Sequence, residues 1–444
     1  MNKEFHKKQN FFSFSDIDSE RKDRIMKFTS TEAPPAPHVP PGVLRLTGAA
    51  KEDIPMYRIQ TMNKISPVGL NRFPSELYEV GDAVQDPQGI LVRSAKLLDL
   101  EFNPSLLAIA RAGVGVNNIP LDRCAAAGIP VFSTPGANAN AVKELVICAM
   151  LMGSRDIPGA IRWVREQAAS GVDVSTVVEK GKSAFIGPEL YKKTLGIIGL
   201  GAIGSIVANT AISLGMDVYG YDPFLSVDTA LRLDRHVHVV KDINDLYKRS
   251  DYITMHIHYT EKTAHMIDAS AIAAMKRGVR VINLARGEIV DDEAMLTALD
   301  TGMVAAYITD FPNNRLLTAP HVIAMPHLGA STPESEQNCA AMAVDALRDY
   351  LESGNIRSSV NLPEMTMDRS GVQRLCVLHK NVPGMLANIT SLFGRDGVNV
   401  ENLSNKSRGD YAYTMVDLGS KVGDNVIEDV RRTANVIRVR SLKW

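Results

Sequence analysis

Cysteine is scarce in this chain of 444 residues. Cys124, Cys148, Cys339 and Cys376 stand far apart and form no C-x-x-C pair. That excludes a disulfide scaffold and a cysteine-rich zinc module, and it fits a reduced, cytoplasmic setting with small buried thiols. Excess charge is missing as well: 49 basic and 50 acidic residues leave a net charge of -1. No global field therefore directs the protein to nucleic acid or to a membrane surface. No apolar run approaches the length of a membrane span. A metal-ligand pattern is absent too. His256 and His258 alternate on an expected strand, but no third ligand accompanies them, so no metal is expected. His236 and His238 read as part of an edge strand and His321 as a loop residue.

What is present is enough chain for two or three domains of ordinary globular composition. Residues 1–55 differ from the rest. They mix charges of both signs and carry the run Ala33-Pro34-Pro35-Ala36-Pro37-His38-Val39-Pro40-Pro41. Such a segment buries too little apolar surface to fold alone, and it reads as a disordered extension. Asp16, Asp18, Glu20 and Asp23 argue against an Arg-rich transit peptide, and no secretory apolar region is found. Regular structure is expected from Met56, itself a candidate alternative start.

The strongest local signal is Leu195 to Gly204. A buried apolar run, 195–198, leads into Gly199-x-Gly201-x-x-Gly204 and then a helix over 205–214. Strand, G-x-G-x-x-G and helix in that order make a pyrophosphate cradle: a tight turn, a close backbone approach, and free N–H groups at a helix N-terminus. A second strand, 217–221, ends on Asp222. An acid there meets the adenine ribose and repels a 2′-phosphate, which selects NAD over NADP. Strands are also expected at 57–62, 90–92, 107–110 and 129–132. After Asp222 they follow at 252–258, 279–284, 305–309 and 322–325. Helices lie between them, with one over 141–152 and another over 154–170 containing Trp163. Residues 171–187 read as a polar loop. This alternation predicts α/β architecture with two doubly wound parallel sheets of Rossmann type. Ligands in such sheets sit beyond the carboxyl ends of strands. Arg93-Ser94, the Gly113-Val114-Gly115 loop, Arg286 and His327 all fall at such ends. A hydride transfer from a hydroxy acid needs a cation for the carboxylate and an acid/base for the hydroxyl proton, and Arg286 and His327 are the right types.

After a helix over 331–352 and a linker over 361–371 the pattern changes. Strands at 374–379, 398–403, 411–417 and 436–439 alternate with helices at 385–393 and 424–432. That order, βαββαβ, is ferredoxin-like.

The segments Arg111 to Asn118, Gly199 to Gly204, Asn283 to Gly287 and Pro326 to Thr332 resemble the D-isomer-specific 2-hydroxyacid dehydrogenases over about 56–444. The resemblance is strongest to members that oxidise D-3-phosphoglycerate in serine synthesis. It implies a substrate-binding domain made of 56–152 and 328–366, an NAD-binding domain at 153–327, and a regulatory ACT domain at 371–444. By resemblance, Gly199, Gly201, Ala202, Ile203, Gly204, Asp222, Leu284, Ala285, Arg286, Asp310, His327, Gly329 and Ala330 line the NAD site. Arg93, Ser94, Gly113, Val114 and Gly115 hold the substrate. Arg286 and His327 are implied as catalytic. The sequence His379-x-Asn381-x-Pro383-Gly384 with Asn399 resembles a serine-binding site, where an exposed histidine adds a donor to two amides. Pairing of such domains edge to edge implies a homo-oligomer.

One position departs from the resemblance. The family pairs its histidine with a carboxylate, usually a Glu just after Phe-Pro, and here Phe311-Pro312 is followed by Asn313 and Asn314. Asn314 orients the ring without adding charge, so a lower histidine pKa and a downward-shifted optimum for reduction are expected. Two further readings stand beside this one: Asp310 replaces the missing carboxylate, or catalysis is lost and the chain is a non-catalytic NAD-binding regulator. Another D-2-hydroxyacid dehydrogenase activity is the remaining alternative.

Overall fold

The strands form three sheets, and the order of strands within each determines where ligands can bind. A computed structural model describes residues 56–444. The expectations for residues 1–55 lie outside the described residues. The first sheet holds β1 (Tyr57–Met62), β2 (Tyr78–Gly81), β3 (Gly89–Val92), β4 (Ala108–Arg111) and β5 (Val131–Phe132), all parallel, in the order β2-β1-β3-β4-β5. Strand order reverses at β1/β3, which opens a crevice at the carboxyl end of β3, where Arg93 follows. The β2 strand escapes the sequence reading because Tyr78-Glu79-Val80-Gly81 is a short edge strand with only one buried residue. Edge strands carry little hydrophobic signal.

The second sheet is also parallel. It contains β6 (Thr194–Ile198), β7 (Asp217–Tyr221), β8 (Val237–Val239), β9 (Tyr252–Met255), β10 (Val279–Asn283), β11 (Val304–Thr309) and β12 (Val322–Ala324). Its order is β12-β11-β10-β9-β6-β7-β8, so the switch point falls between β6 and β9, next to the glycine loop. Four residues from Leu195 to Ile198 are buried, as a central parallel strand requires. The β9 strand stops at Met255, so the expected alternation of His256 and His258 on one strand does not exist.

Two helical expectations are corrected. The two helices expected over 141–152 and 154–170 are present, but the break between them lies later: one spans Ala139–Arg155 and the other Ile157–Ala169, with Asp156 between them at φ 41°. Pro158 lies in the first turn of the second helix, where its missing N–H is harmless, and Asp156 caps the Gly159 N–H. The supposed loop at 171–187 contains a helix, Val174–Gly181, and a 3-10 turn, Lys182–Phe185. Asp173 caps that helix through the Ser175 N–H at 3.0 Å, a cue the sequence reading overlooked.

A long helix, Pro333–Ser353, returns the chain to the first sheet. Thr332 accepts from the Ser335 N–H to start it, and Gly354 at φ 76° ends it. Its buried face, from Cys339 through Ala343 and Leu347 to Leu351, shares one core with Ile59, Leu91 and Phe132.

The third sheet is antiparallel and ferredoxin-like: β13 (Gln373–Lys380), β14 (Val400–Arg408), β15 (Tyr411–Leu418) and β16 (Val436–Lys443), in the order β14-β15-β13-β16. Alternation along β13 sends Leu375 and Val377 to one face, against Ile389, Phe393 and Val430 of its two helices. Cys376 and Leu378 face the other way and join the first sheet's core, with Tyr413 and Met415. The third sheet is thus packed onto the first body rather than only tethered to it. Among the described residues no helix is long and apolar enough to cross a membrane.

Candidate active site

The glycine loop is built as its spacing demands. Gly199 follows β6 at φ 90°, and a Cβ there would meet the His256 carbonyl oxygen at 2.6 Å. A Cβ on Gly204 would lie 1.9 Å from the Gly199 carbonyl oxygen, so only glycine lets the next helix (Ala202–Ser213) sit this close to the strand. That helix has no side-chain cap, whereas Ser226, Asp242, Asp268 and Asp291 each cap a helix of the same sheet. Its first-turn N–H groups, at Ala202 and Ile203, lack a side-chain acceptor. A Cβ on the cap residue, Gly201, would have nothing within 4 Å. An uncapped helix start facing open space is what an anionic pyrophosphate fits. Asp222 closes the loop from the second strand: Oδ2 accepts the Leu200 N–H at 2.9 Å and Oδ1 the Phe224 N–H at 2.8 Å. Gly136, in the loop after β5, brings a Cβ position within 3.2 Å of the Ala202 Cβ and forms the facing wall. In that same loop Thr134 Oγ1 and Asn138 Oδ1 are buried without a partner.

Arg286 and His327 come from different strands and meet around one aromatic ring. Leu284 is buried at the end of β10, and Ala285 and Arg286 follow it. Asn283 shapes this turn, donating to the Arg286 carbonyl at 2.8 Å and accepting from the Ala285 N–H at 3.2 Å. The Arg286 guanidinium lies 5.7 Å from the centre of the Phe311 ring. The His327 ring lies 4.5 Å from the same centre. Phe311 therefore spaces the cation and the imidazole, a role unread in the sequence, where it only marked the Phe-Pro pair.

Asp310 is the carboxylate beside His327. It is 1% exposed, its Oδ2 accepts the Gly329 N–H at 3.3 Å, and its Oδ1 has no partner. Burial pushes its carboxyl up; the charge of His327 and the N–H groups of Gly329 and Leu328 pull it down. Ala330 is half-buried next to them. Asn314 is exposed and makes no side-chain hydrogen bond among the described residues. Its neighbour Asn313 is the structural one, bonded to Asp292 at 2.6 Å and to the backbone of Arg315 and Leu316. The expectation that Asn314 orients His327 is not met in this conformation, because the side chain faces solvent.

The opposite wall comes from the first sheet. Asn63 accepts from the N–H groups of Ser94 and Ala95, at 3.0 and 2.7 Å, which fixes the turn that carries Arg93. Arg93 is paired with Glu336 at 2.5 Å. Arg111 ends β4 and escaped the sequence reading, although it has the same placement as Arg93. Its Nε donates to the Arg93 carbonyl at 2.9 Å. Gly113 and Gly115 lie against its guanidinium, with Cβ positions 3.1 and 3.4 Å from Nη1. A Cβ on Gly115 would also lie 3.3 Å from Arg286 Nη2, and Val114 is half-buried between the two glycines. Burial lowers the Arg111 pKa most; a nearby Cys339 raises it, and the charges of Arg286 and Arg93 lower it further. Three guanidinium groups thus stand near one another, and one of them shares the Phe311 ring with His327, an arrangement that favours a polyanionic ligand.

In the third sheet the expectation of an exposed His379 is overturned. His379 is 3% exposed, and its ring nitrogens meet the Lys380 carbonyl and Thr414 Oγ1, both at 2.8 Å. Alternation on β13 turns this side chain inward. Asn381 and Asn399 are exposed; Asn381 donates to the Gly409 carbonyl at 3.1 Å and Asn399 to Glu401 at 2.9 Å.

Comparison with known proteins agrees with this arrangement. Residues 147–329 match the family described as D-isomer specific 2-hydroxyacid dehydrogenase, NAD binding domain. D-3-phosphoglycerate dehydrogenase of Synechocystis is 36% identical over 326 residues, which are 71% of this chain and 56% of that protein. The Escherichia coli protein of the same name is 31% identical over 380 residues, 82% of this chain and 89% of that one. The chain thus spans little more than half the length of some relatives and most of others. The NAD-bound structure of 3-phosphoglycerate dehydrogenase from Entamoeba histolytica is 26% identical, with a TM-score of 0.53, and covers 69% of this chain and 99% of that one.

Proposed function

We propose, for a chain that belongs to the D-isomer specific 2-hydroxyacid dehydrogenase family, the NAD-dependent oxidation of D-3-phosphoglycerate to 3-phosphohydroxypyruvate, the first step of L-serine biosynthesis, with feedback by serine. The observation that carries the reading is the convergence of Arg93, Arg111 and Arg286 beside His327. A carboxylate and a phosphate on one small molecule need several cations, and hydroxy-acid oxidation needs a base within reach of the C2 hydroxyl. In this reading Arg286 holds the substrate carboxylate and polarises C2–O. His327 takes the hydroxyl proton as the C2 hydrogen leaves as hydride, and Asp310 stabilises the imidazolium that forms. Arg93, Ser94 and Arg111, with the backbone of Gly113 to Gly115, receive the phosphate. When bound at Gly199 to Gly204, Asp222, Leu284 and Ala285, NAD supplies the hydride acceptor. Residues 56–152 and 328–366 hold the substrate, 153–327 the cofactor, and 371–444 form the regulatory ACT domain of a cytoplasmic homo-oligomer.

The test is NADH oxidation with 3-phosphohydroxypyruvate, followed with and without millimolar serine. Turnover is expected, and serine should reduce it. Absence of turnover sinks the reaction, and indifference to serine sinks the effector. A second reading, a dehydrogenase for a 2-hydroxy acid without a phosphate, draws support from Glu336, which already neutralises Arg93.

Asn314 provides a further check. With Asp310 as the charged neighbour of His327 and Asn314 turned to solvent, Asn314→Glu is expected to leave the pH–rate profile in place. An upward displacement of its ascending limb in the oxidative direction would show that position 314 reaches the imidazole during turnover.

A further inference from the structure

We infer that Glu336 is a specificity-determining residue: an internal anion that occupies the guanidinium of Arg93 and must give it up when the substrate carries a second anionic group. The inference rests on the reaction proposed above. Arg93 stands at the strand-order reversal of the first sheet, and Glu336 projects from the first turn of the Pro333–Ser353 helix, which packs against that same sheet. Glu336 Oε1 lies 2.5 Å from Arg93 Nη2.

The neighbouring cations are treated differently. Arg111 and Arg286 donate only to carbonyl oxygens among the described residues, those of Arg93 and Ala285. Of the three guanidinium groups, Arg93 alone is met by a carboxylate there. Arg286 matches the carboxylate that every 2-hydroxy acid carries, and Arg111, beside Arg93, is free to share a second anionic group. The paired one stands where a second charge would bind.

Both side chains of the Arg93–Glu336 pair are 44% exposed, so the pair is weak and displaceable rather than structural. A phosphate dianion arriving at Arg93 gains two parallel charge-assisted hydrogen bonds and forces the Glu336 carboxylate away. A substrate without the phosphate leaves the pair intact. Glu336 therefore handicaps phosphorylated substrates relative to smaller ones, by electrostatic competition alone.

The test compares 3-phosphohydroxypyruvate with hydroxypyruvate, which differ only in the phosphate, in the wild type, Glu336→Gln and Glu336→Asp. In Glu336→Gln the ratio of the two kcat/KM values should rise about tenfold in favour of the phosphorylated acid, as expected for removing one negative charge a few ångströms from a dianion. The change should fall on KM rather than kcat and should shrink as salt is raised. Glu336→Asp, which keeps the charge, should stay near the wild-type ratio. A ratio that is unchanged, or that moves against the phosphorylated acid, overturns the inference. If the wild type reduces neither acid, the proposed reaction fails, but Glu336 is still tested by inorganic phosphate. Its binding, read as a thermal shift over a phosphate titration, should be about tenfold tighter in Glu336→Gln, and equal affinity overturns the inference on its own.

Discussion

His327→Gln is expected to lower kcat by about 10³-fold, roughly 4 kcal/mol of transition-state stabilisation. The imidazole, the base of the proposed reaction, is exposed, set against Phe311 and next to the buried Asp310. Glutamine keeps a similar length and a hydrogen-bonding end, but it cannot accept a proton at neutral pH. Loss of the proton acceptor should therefore appear in kcat. KM should change by only a few-fold, because Arg93, Arg111 and Arg286 still hold the anionic groups. Quenching of protein fluorescence by NADH should be retained, since the Gly199 to Gly204 cradle is untouched. The readout is steady-state kinetics in both directions alongside an NADH titration. A kcat within tenfold of the wild type would remove His327 from the chemistry, and a matching loss of NADH binding would show a structural role instead.

The largest stability effect should come from Asp417→Ala. Asp417 and Arg374 are both fully buried, and two hydrogen bonds join them, at 2.6 and 2.7 Å. Arg374 also donates to the carbonyls of Ser353, Met367 and Asp368, at 2.8, 3.0 and 2.9 Å. Asp417 accepts in addition from the Ser370 N–H and hydroxyl. The pair thus ties β13 and β15 to the segment that leaves the Pro333–Ser353 helix. Close by, Arg440 donates to the carbonyls of Tyr350 and Leu351 in the last turn of that helix. Truncating the acid leaves a guanidinium charge in an apolar interface with only neutral partners, which costs about 3–5 kcal/mol. Thermal unfolding should begin about 10 °C lower. A double replacement, Arg374→Met with Asp417→Leu, should recover most of the loss, because it removes both charges and keeps the volume. A single variant within about 1 kcal/mol of the wild type in a denaturant titration would show that water reaches the site and screens the charge.

The contrast between these two positions shows how the chain encodes its parts. His327 was legible because it follows a predicted strand in a recognisable segment. Asp417 was not, because nothing in a strand pattern distinguishes a surface aspartate from one aimed at a buried arginine. Arg111 was overlooked for a related reason: its role depends on Arg93 and Arg286, which lie far away in the chain. The segment 171–187 was misread because its helix is short and buries no residue fully, so Val174, Val177 and Val178 are too few to carry a clear periodic signal.

Local sequence alone was enough for the architecture. Two parallel sheets, a glycine loop between strand and helix, an acid after the second strand and a βαββαβ tail follow from periodicity, glycine spacing and capping. These are interactions between near neighbours in the chain. The environment of each functional side chain was decided only by tertiary packing. Folding turned His379 inward, left Asn314 in solvent, put Asp310 rather than Asn314 next to His327, and set Glu336 on Arg93. Charge and burial act through space, between groups up to hundreds of residues apart, and a one-dimensional pattern does not record which of them meet.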